Sequence, residues 1–314
     1  MALTGNQTDL FEASMPRLKA IAYRLLGSSS DAEDAVQDTF LRWQAADIDR
    51  IEVPEAWLTK VLTNLCLNQL TSARARRETY VGQWLPEPLL AGDPMLGPAD
   101  TVEQRESVSY AVLALMERLS PNERVVYVLR EAFGYPHRRI AEILDITEAS
   151  GQQIFHRAKK HIAEGRTRTE IDEAAARRIV EEFLTAATSG RTEPLVRLLT
   201  ADAVAIGDGG GKVPARARAF EGALAVAKFM RGLFTPGKAK RALVGGSAGV
   251  HITSANGGPA VVAVVDGRVI GVMCMEITAD GIAAFRNQVN PDKLERVNRH
   301  WAATDHGEPL FHAF

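Results

Sequence analysis

The chain has 314 residues, of which 46% are hydrophobic and 24% charged, and its formal net charge is −2. That composition is typical of a globular protein of two or three domains, and it argues against a uniformly basic nucleic-acid binder. The first residues lack the basic and apolar blocks of a signal peptide, and no apolar run approaches membrane-spanning length. A cytoplasmic protein without a membrane partner is therefore expected.

The two cysteines give no sign of a metal centre or a disulfide. Cys66 and Cys274 lie far apart in sequence and without the spacing of metal ligands. Reduced, buried thiols are expected, and no metal and no cofactor is predicted.

Residues 1–77 are predicted to form an all-α domain, helical from residue 8 onward. A first amphipathic helix ends at Gly27, and Ser30 with Glu33 is predicted to form the capping box of the second. The second helix, DAEDAVQDTFLRW, buries Ala35 and Val36 and exposes acidic residues on its other side. Those acidic residues are Asp31, Glu33, Asp34 and Asp38.

A third helix is predicted from about Pro54 to about Arg77. Its apolar stripe includes Leu58, Leu62 and Leu65, and a second stripe on another side is mostly polar. The polar stripe comprises Lys60, Thr63, Asn64, Asn68, Thr71 and Arg74, and it continues into Arg76 and Arg77.

Residues 78–103 break the helical pattern with four prolines and three glycines, which predicts a linker. The linker is acidic, because it holds five Asp or Glu and no Lys or Arg. Residues 104–168 carry the opposite sign, with eleven Lys or Arg against eight Asp or Glu. Such a segregation of charge predicts partners better than the total does.

The basic stretch 104–168 is predicted to be helical and to contain a helix-turn-helix. Ser120-Pro121-Asn122-Glu123 has the pattern of a capping box with proline at the first helical position. A helix over His137–Leu144 is followed by a turn at Asp145 to Thr147, where Thr147 caps the next helix. Polar side chains on the exposed face of that helix are of the type that contacts base edges and phosphates. They are Ser150, Gln152, Gln153, His156, Arg157, Lys159 and Lys160.

Residues 169–300 are predicted to form an α+β domain, followed by a tail over 301–314. Helices are predicted over Ala174–Ala187, Pro194–Leu199 and Ala219–Phe234, and strands from about Arg241 onward. Asp266-Gly267 between two apolar runs is a strong hairpin signal, and a second turn follows at Ala279 to Gly281. Helices followed by an antiparallel meander favour an α+β fold.

Placed together, these parts resemble an extracytoplasmic-function sigma factor. The resemblance implies that the acidic helix is sigma region 2 and binds core RNA polymerase through Asp31, Asp34, Gln37, Asp38 and Arg42. It implies that the polar stripe of the third helix helps melt promoter DNA, and that the helix-turn-helix is region 4. It also implies that the linker occupies polymerase channels made for nucleic acid.

Three short motifs resemble the sigma factors of the SigJ type, which carry a C-terminal SnoaL-like domain. They are Trp84-Leu85-Pro86-Glu87-Pro88, Asp208-Gly209-Gly210-Gly211-Lys212 and Asn290-Pro291-Asp292-Lys293-Leu294. The resemblance implies two all-α sigma domains and a C-terminal α+β cone-shaped barrel. It further implies that the three motifs mediate interdomain contact, and that the extension replaces a separate anti-sigma factor. The barrel could hold an unidentified small ligand.

Other interpretations stay open at this point. The basic helical hairpin, the acidic helix face and the linker are each also compatible with an ordinary solvated surface. A one-component DNA-binding regulator that senses a ligand is the main alternative function. A SnoaL-type enzyme would need His251 and Asp208, but no second partner is evident for either, so no catalytic residue is assigned. DGGGK lacks the spacing and the Ser or Thr of a phosphate loop.

Overall fold

The computed structural model describes residues 5–78, 80–97, 102–164, 172–216 and 218–313. The chain divides into two compact units, one formed by residues 1–79 and 92–166 and the other by residues 80–91 and 167–314. Residues 80–91, inside the stretch predicted to be a linker, therefore belong to the second unit. Among the described residues, no helix is long and apolar enough to cross a membrane.

The first half of the first unit is a bundle of three helices, α1 (Gly5–Leu26), α2 (Ser29–Ala45) and α3 (Pro54–Glu78). Its core contains Ile21, Leu25, Trp43, Leu58 and Leu62, all fully buried. The predicted capping box of α2 at Ser30 and Glu33 is wrong, because Ser28 is the N-cap and its Oγ accepts from the Asp31 N–H at 3.1 Å. Three adjacent serines made the position of the cap ambiguous in the sequence.

The second half of the first unit contains α4 (Val102–Val108), α5 (Tyr110–Met116), α6 (Pro121–Tyr127), α7 (His137–Leu144) and α8 (Glu148–Glu164). The capping box at the start of α6 is confirmed. The Ser120 N–H donates to Glu123 Oε2 at 2.9 Å, and the Glu123 N–H donates to Ser120 Oγ at 3.4 Å. After α6 the chain continues as a π-helical turn over Val128–Ala132.

The helix-turn-helix is confirmed with the predicted turn. Asp145 ends α7 in the left-handed conformation, with φ 53°. Thr147 caps α8 through its Oγ1, which accepts from the Ser150 N–H at 3.1 Å. The inner side of α8 buries Phe155, Ala158 and Ile162, whereas Ile154 is only half-buried.

The second unit is an α+β structure, as predicted. Its described helices are α9 (Glu173–Thr188), α10 (Glu193–Leu198), α11 (Ala223–Phe234), α12 (Lys238–Val244) and α13 (Glu295–Ala302). Its strands are β1 (Leu199–Asp208), β2 (Phe220–Glu221), β3 (Ala248–Ala255), β4 (Gly258–Val265), β5 (Arg268–Thr278), β6 (Gly281–Gln288) and β7 (Phe311–Ala313). The core contains Phe183, Val226, Met230 and Phe285.

The described strands form one sheet in the order β2-β1-β6-β5-β4-β3-β7. Strands β3 to β6 are the predicted antiparallel meander, and β1 runs parallel to β6. The hairpin at Asp266 and Gly267 is confirmed, because both residues have positive φ, as a type I′ turn requires. The order is an open series, and closure into a SnoaL-like barrel stays a prediction.

Three boundaries of the second unit differ from expectation. The predicted helix over Ala219–Phe234 begins only at Ala223, because Phe220 and Glu221 pair with β1. The β region predicted from Arg241 begins at Ala248, because residues 238–244 form α12. The predicted tail 301–314 contributes β7, which pairs with β3.

Candidate functional sites

The acidic face of α2 is exposed. Its inner side buries Ala35, Val36 and Trp43. The predicted residues Asp34, Gln37, Asp38 and Arg42 are all exposed, and Asp31 is half-buried. Because these positions are separated by three or four residues, they form one continuous face of the helix. The hydrophobic pattern did not predict that Leu41 would share this face, where its side chain is 54% exposed.

The polar stripe of α3 is only partly open. Thr63 is fully buried, which corrects the prediction that it belongs to the exposed stripe. Asn64 is half-buried, and Asn68 and Thr71 are exposed. Lys60 donates from Nζ to Asp145 Oδ1 at 2.8 Å and to the Glu142 carbonyl at 2.9 Å, so the turn of the helix-turn-helix contacts this end of the stripe. Arg74, Arg76 and Arg77 belong to α3, but their side chains lie outside the described residues.

The polar face of α8 is exposed to solvent. All seven side chains predicted to contact DNA are exposed: Ser150, Gln152, Gln153, His156, Arg157, Lys159 and Lys160. They follow two adjacent stripes, which lie opposite Phe155, Ala158 and Ile162. Three cationic side chains, one imidazole and two amides on one face are suited to phosphates and to base edges in a major groove.

Gly151 lies inside α8 without interrupting the helix. It is buried, and a Cβ there would meet Ile146 Cδ1 at an ordinary 3.9 Å. Neither very close packing nor an irregular helix start explains the glycine, and nothing else in the described structure does.

The third site is a buried cluster in the second unit, centred on Asp208. The Asp208 side chain is fully buried. Its Oδ1 accepts from Tyr80 Oη at 2.6 Å, and its Oδ2 accepts from the Leu85 N–H at 2.9 Å and from Lys293 Nζ at 2.6 Å. We call Tyr80, Leu85, Asp208, Gln288 and Lys293 the Asp208 cluster. Burial, and then the bond to Asp208, raise the pKa of Tyr80, so its hydroxyl stays a donor.

Lys293 neutralises Asp208 inside the protein. The lysine is 9% exposed, and its Nζ also donates to the Leu85 carbonyl at 2.7 Å. The ammonium lies 4.1 Å from the centre of the Trp84 ring and 4.9 Å from that of Tyr80. Two aromatic faces and a carboxylate thus replace the water that a buried ammonium loses.

The position of the cluster follows from strand pairing. Because β1 and β6 are parallel neighbours, their carboxyl ends meet at one edge, where Asp208 is opposite Gln288. DGGGK follows β1 directly, and NPDKL begins two residues after β6. Gln288 Nε2 donates to Asp208 at 3.3 Å and to the Pro86 carbonyl at 3.2 Å, which brings the third motif to the same point.

Close packing explains the glycines of DGGGK. A Cβ on Gly209 would lie 2.1 Å from the Val213 carbonyl oxygen. Gly210 has φ 59°, and a Cβ there would lie 2.3 Å from Asn290 Nδ2. A side chain at either position would separate DGGGK from its own turn or from NPDKL.

The motif residues are not all buried. Leu85, Pro86, Glu87, Pro88, Asp208, Gly209, Asn290, Lys293 and Leu294 are buried, Trp84, Gly210 and Pro291 are half-buried, and Gly211, Lys212 and Asp292 are exposed. Lys212 and Asp292 form an ion pair at 2.6 Å, which should contribute little because both partners are exposed.

The rest of segment 80–91 packs on the turn between β3 and β4. Leu89 and Leu90 are buried, and the Leu89 N–H donates to Asn256 Oδ1 at 2.9 Å. In return the Asn256 N–H donates to the Leu89 carbonyl at 2.8 Å, and the Ala91 N–H donates to the Ser254 carbonyl at 3.0 Å. Segment 80–91 is thus a part of the second unit, and its residues 85–90 are buried.

The two residues considered for catalysis have other partners. Asp208 is held by the donors described above. His251 on β3 packs edge-on against Trp301, with ring centres 5.1 Å apart, and burial lowers its pKa. Neither arrangement is that of an acid and a base sharing a substrate.

Comparisons with known proteins identify the family. The sigma-70 region 2 family matches residues 10–76, and the sigma-70 region 4 family matches residues 109–162. The ECF RNA polymerase sigma factor SigJ of Mycobacterium tuberculosis is 37% identical over 294 residues, which cover 90% of this chain and 92% of that protein. The crystal structure of M. tuberculosis SigJ matches with a TM-score of 0.70 at 32% identity, over 91% of this chain and 98% of the other. The chain belongs to the extracytoplasmic-function sigma factors.

A second relative is similar to this sigma factor over only part of its length. The probable ECF RNA polymerase sigma factor SigI of M. tuberculosis is 35% identical over 185 residues, which are 57% of this chain and 62% of that protein. Helices α1 to α3 are thus region 2, and α5 to α8 contain region 4. Because the chain belongs to a sigma factor family, its function is that of a sigma factor and not the alternative of a one-component DNA-binding regulator.

Within the first unit, two buried arginines join regions 2 and 4 of this sigma factor. Arg24 on α1 donates from Nε to Ser107 Oγ at 3.1 Å, and Arg124 on α6 donates from Nε to the Arg24 carbonyl at 3.3 Å. Arg124 also pairs with Glu117 at 2.5 Å. Burial lowers the pKa of Arg24 to about 10 and that of Arg124 to about 9. The sequence predicted neither contact, because arginine is almost never fully buried unless it is paired.

Proposed function

We propose that the second unit modulates this sigma factor by holding segment 80–91, which in the chain connects region 2 to region 4. The observation that carries the proposal is the Asp208 cluster, in which five hydrogen bonds tie residues of that segment to Asp208, Gln288 and Lys293. Asp208 and Lys293 themselves form a buried ion pair. A segment that is held in this way is not available to the channels of polymerase. Release of segment 80–91 would then be a step in promoter opening, and no separate anti-sigma factor would be needed.

We further propose that the acidic face of α2 binds core polymerase. The proposal is supported by the exposure of Asp34, Gln37, Asp38 and Arg42 on one side of region 2, with Leu41 among them.

We propose that α3 and α8 bind promoter DNA. In α8 the exposed Gln152, Gln153, His156 and Arg157 would contact bases and Lys159 and Lys160 phosphates. In α3 Asn64, Asn68 and the three arginines near its end would contact the melted strand. Lys60 would have to leave Asp145 before it could contribute.

The test of modulation uses the full-length chain, purified core polymerase and run-off transcription from a cognate promoter. Lys293→Met removes the buried ammonium and should change the initiation rate, because segment 80–91 is held less firmly. Lys228→Met, at an exposed position of α11, is the matched control and should transcribe like the wild type. An unchanged rate in Lys293→Met would contradict the proposal.

The test of the acidic face is co-purification with core polymerase. Asp34→Lys combined with Asp38→Lys should abolish co-purification. The change replaces two charges that would attract the polymerase surface by two that would repel it. Asp47→Lys combined with Asp49→Lys reverses two equally exposed acids after α2 and should leave it intact. Equal recovery of both double variants would refute the assignment.

A further inference from the structure

The second unit contains a cavity of about 760 Å³ between one face of the sheet and helices α11 and α12. Its walls are mostly aliphatic and aromatic, with Phe229, Phe234, Val250, Val261 and Met273 among them. Sites for small organic molecules have this size and this predominantly apolar lining.

One polar side chain in the wall lacks a partner. Asn287 on β6 lines the cavity and is 8% exposed, and its Oδ1 is buried without a hydrogen-bond partner in the described structure. Buried amide oxygens are nearly always paired, because an unpaired one has lost its water without compensation. An amide oxygen in the wall of a cavity of this size can accept a hydrogen bond from water there, so it does not by itself select an occupant.

The charged residues that line the cavity are nearly all basic. They are Lys212, Arg216, Arg218, Lys240 and Arg268, against Asp266 alone. Lys212 is paired with Asp292, and Lys240 donates to backbone carbonyls after α11, so the arginines are better placed to meet a ligand. All three arginines are exposed. An apolar interior with an arginine-rich rim complements a molecule with an apolar body and one anionic end.

We infer that this cavity binds an apolar organic acid, with the hydrocarbon part against the sheet and the carboxylate among the arginines. Dispersion and burial of apolar surface hold the body, and the guanidinium groups select the acid over a neutral molecule of the same shape. The inference stands without the modulation proposed above, because it concerns the cavity alone.

The test is isothermal titration calorimetry of the full-length protein with decanoic acid and with decan-1-ol as the uncharged probe. Decanoic acid should saturate a single site. Decan-1-ol should bind with an affinity at least about tenfold lower. Arg216→Gln combined with Arg268→Gln should weaken decanoic acid about tenfold, since each exposed charge contributes a few-fold. Arg177→Gln on α9, which is exposed and does not line the cavity, is the matched control and should bind like the wild type.

Two variants examine the cavity itself. Ala263→Phe fills it from a half-buried position in β4 and should abolish binding. Asn287→Leu should not lower the melting temperature, because it removes an unpaired acceptor rather than a bond. If Ala263→Phe does not fold, the surface arginine pair decides the matter. The inference is overturned if decanoic acid does not bind, if decan-1-ol binds equally well, or if the arginine variant keeps wild-type affinity.

Discussion

Asp208→Asn provides the sharpest test of how segment 80–91 is held. The substitution keeps the size of the side chain but removes the charge that neutralises Lys293, and it places an amide group where donors now point at both oxygens. Removing one partner of a buried ion pair costs about 3–5 kcal/mol, because the other charge stays buried and unpaired. Both partners qualify, since the side chains of Asp208 and Lys293 are 0% and 10% exposed.

The Leu85 amide reports the effect locally. Its N–H donates to Asp208 Oδ2 at 2.9 Å and is buried, so it should exchange slowly with solvent in the wild type. A loss of about 3 kcal/mol corresponds to exchange about a hundredfold faster, at 1.4 kcal/mol per factor of ten. Hydrogen exchange followed by mass spectrometry over residues 80–91 measures this rate in the full-length chain.

The matched control is Asp202→Asn, which makes the same chemical change at an exposed position of the same strand. It should leave exchange over residues 80–91 unchanged. Wild-type exchange in Asp208→Asn would refute the reasoning, and so would equal acceleration in Asp202→Asn. The double variant Asp208→Asn with Lys293→Met should lose less stability than the two single variants added together, because it leaves no charge unpaired.

Three further outcomes are expected. Ser120→Ala should lower the stability of the first unit to urea by about 1 kcal/mol, because it breaks the capping box of α6, whereas Ser72→Ala on the exposed face of α3 should change it little. Because burial lowers the pKa of His251, the folded second unit binds that proton less well than the unfolded chain. Its stability should therefore fall as pH drops below about 6.5, and His251→Phe should reduce this fall in urea titrations at pH 8 and pH 5.5. Lys159→Ala combined with Lys160→Ala should reduce the slope of log affinity against log salt concentration by about 1–2 for holoenzyme on promoter DNA. Arg177→Ala combined with Arg178→Ala should leave that slope unchanged. Equal slopes in the two double variants would contradict phosphate contacts by α8.

Sequence patterns predicted the helical part of this sigma factor well, for identifiable reasons. The α7–α8 unit has a short turn in which Asp145 takes the left-handed conformation and Thr147 caps the next helix, and both signals are local. The capping box of α6 is equally local. At α2 the same signal failed, because Ser28, Ser29 and Ser30 are chemically identical and only the backbone chooses between them.

Contacts between residues that are distant in sequence could not be predicted from local sequence patterns. Arg24 and Arg124 bury their guanidinium groups 100 residues apart, and nothing in either local sequence distinguishes them from exposed arginines. The unpaired Asn287 and the arginines around the cavity are likewise brought together only by the sheet and the loops that follow its strands.

Strand β1 shows where periodicity fails and motif order succeeds. In LTADAVAIGD the inward positions are Ala203, Ala205 and Gly207, which are too small to give a clear alternating signal, so periodicity did not predict the extent of β1. Without that extent, the parallel pairing of β1 with β6 could not be inferred either. The resemblance of three motifs nevertheless predicted that WLPEP, DGGGK and NPDKL would act together. The parallel pair supplies the physical reason, because residue 207 faces the cavity while Asp208 faces segment 80–91, one residue further along the same strand.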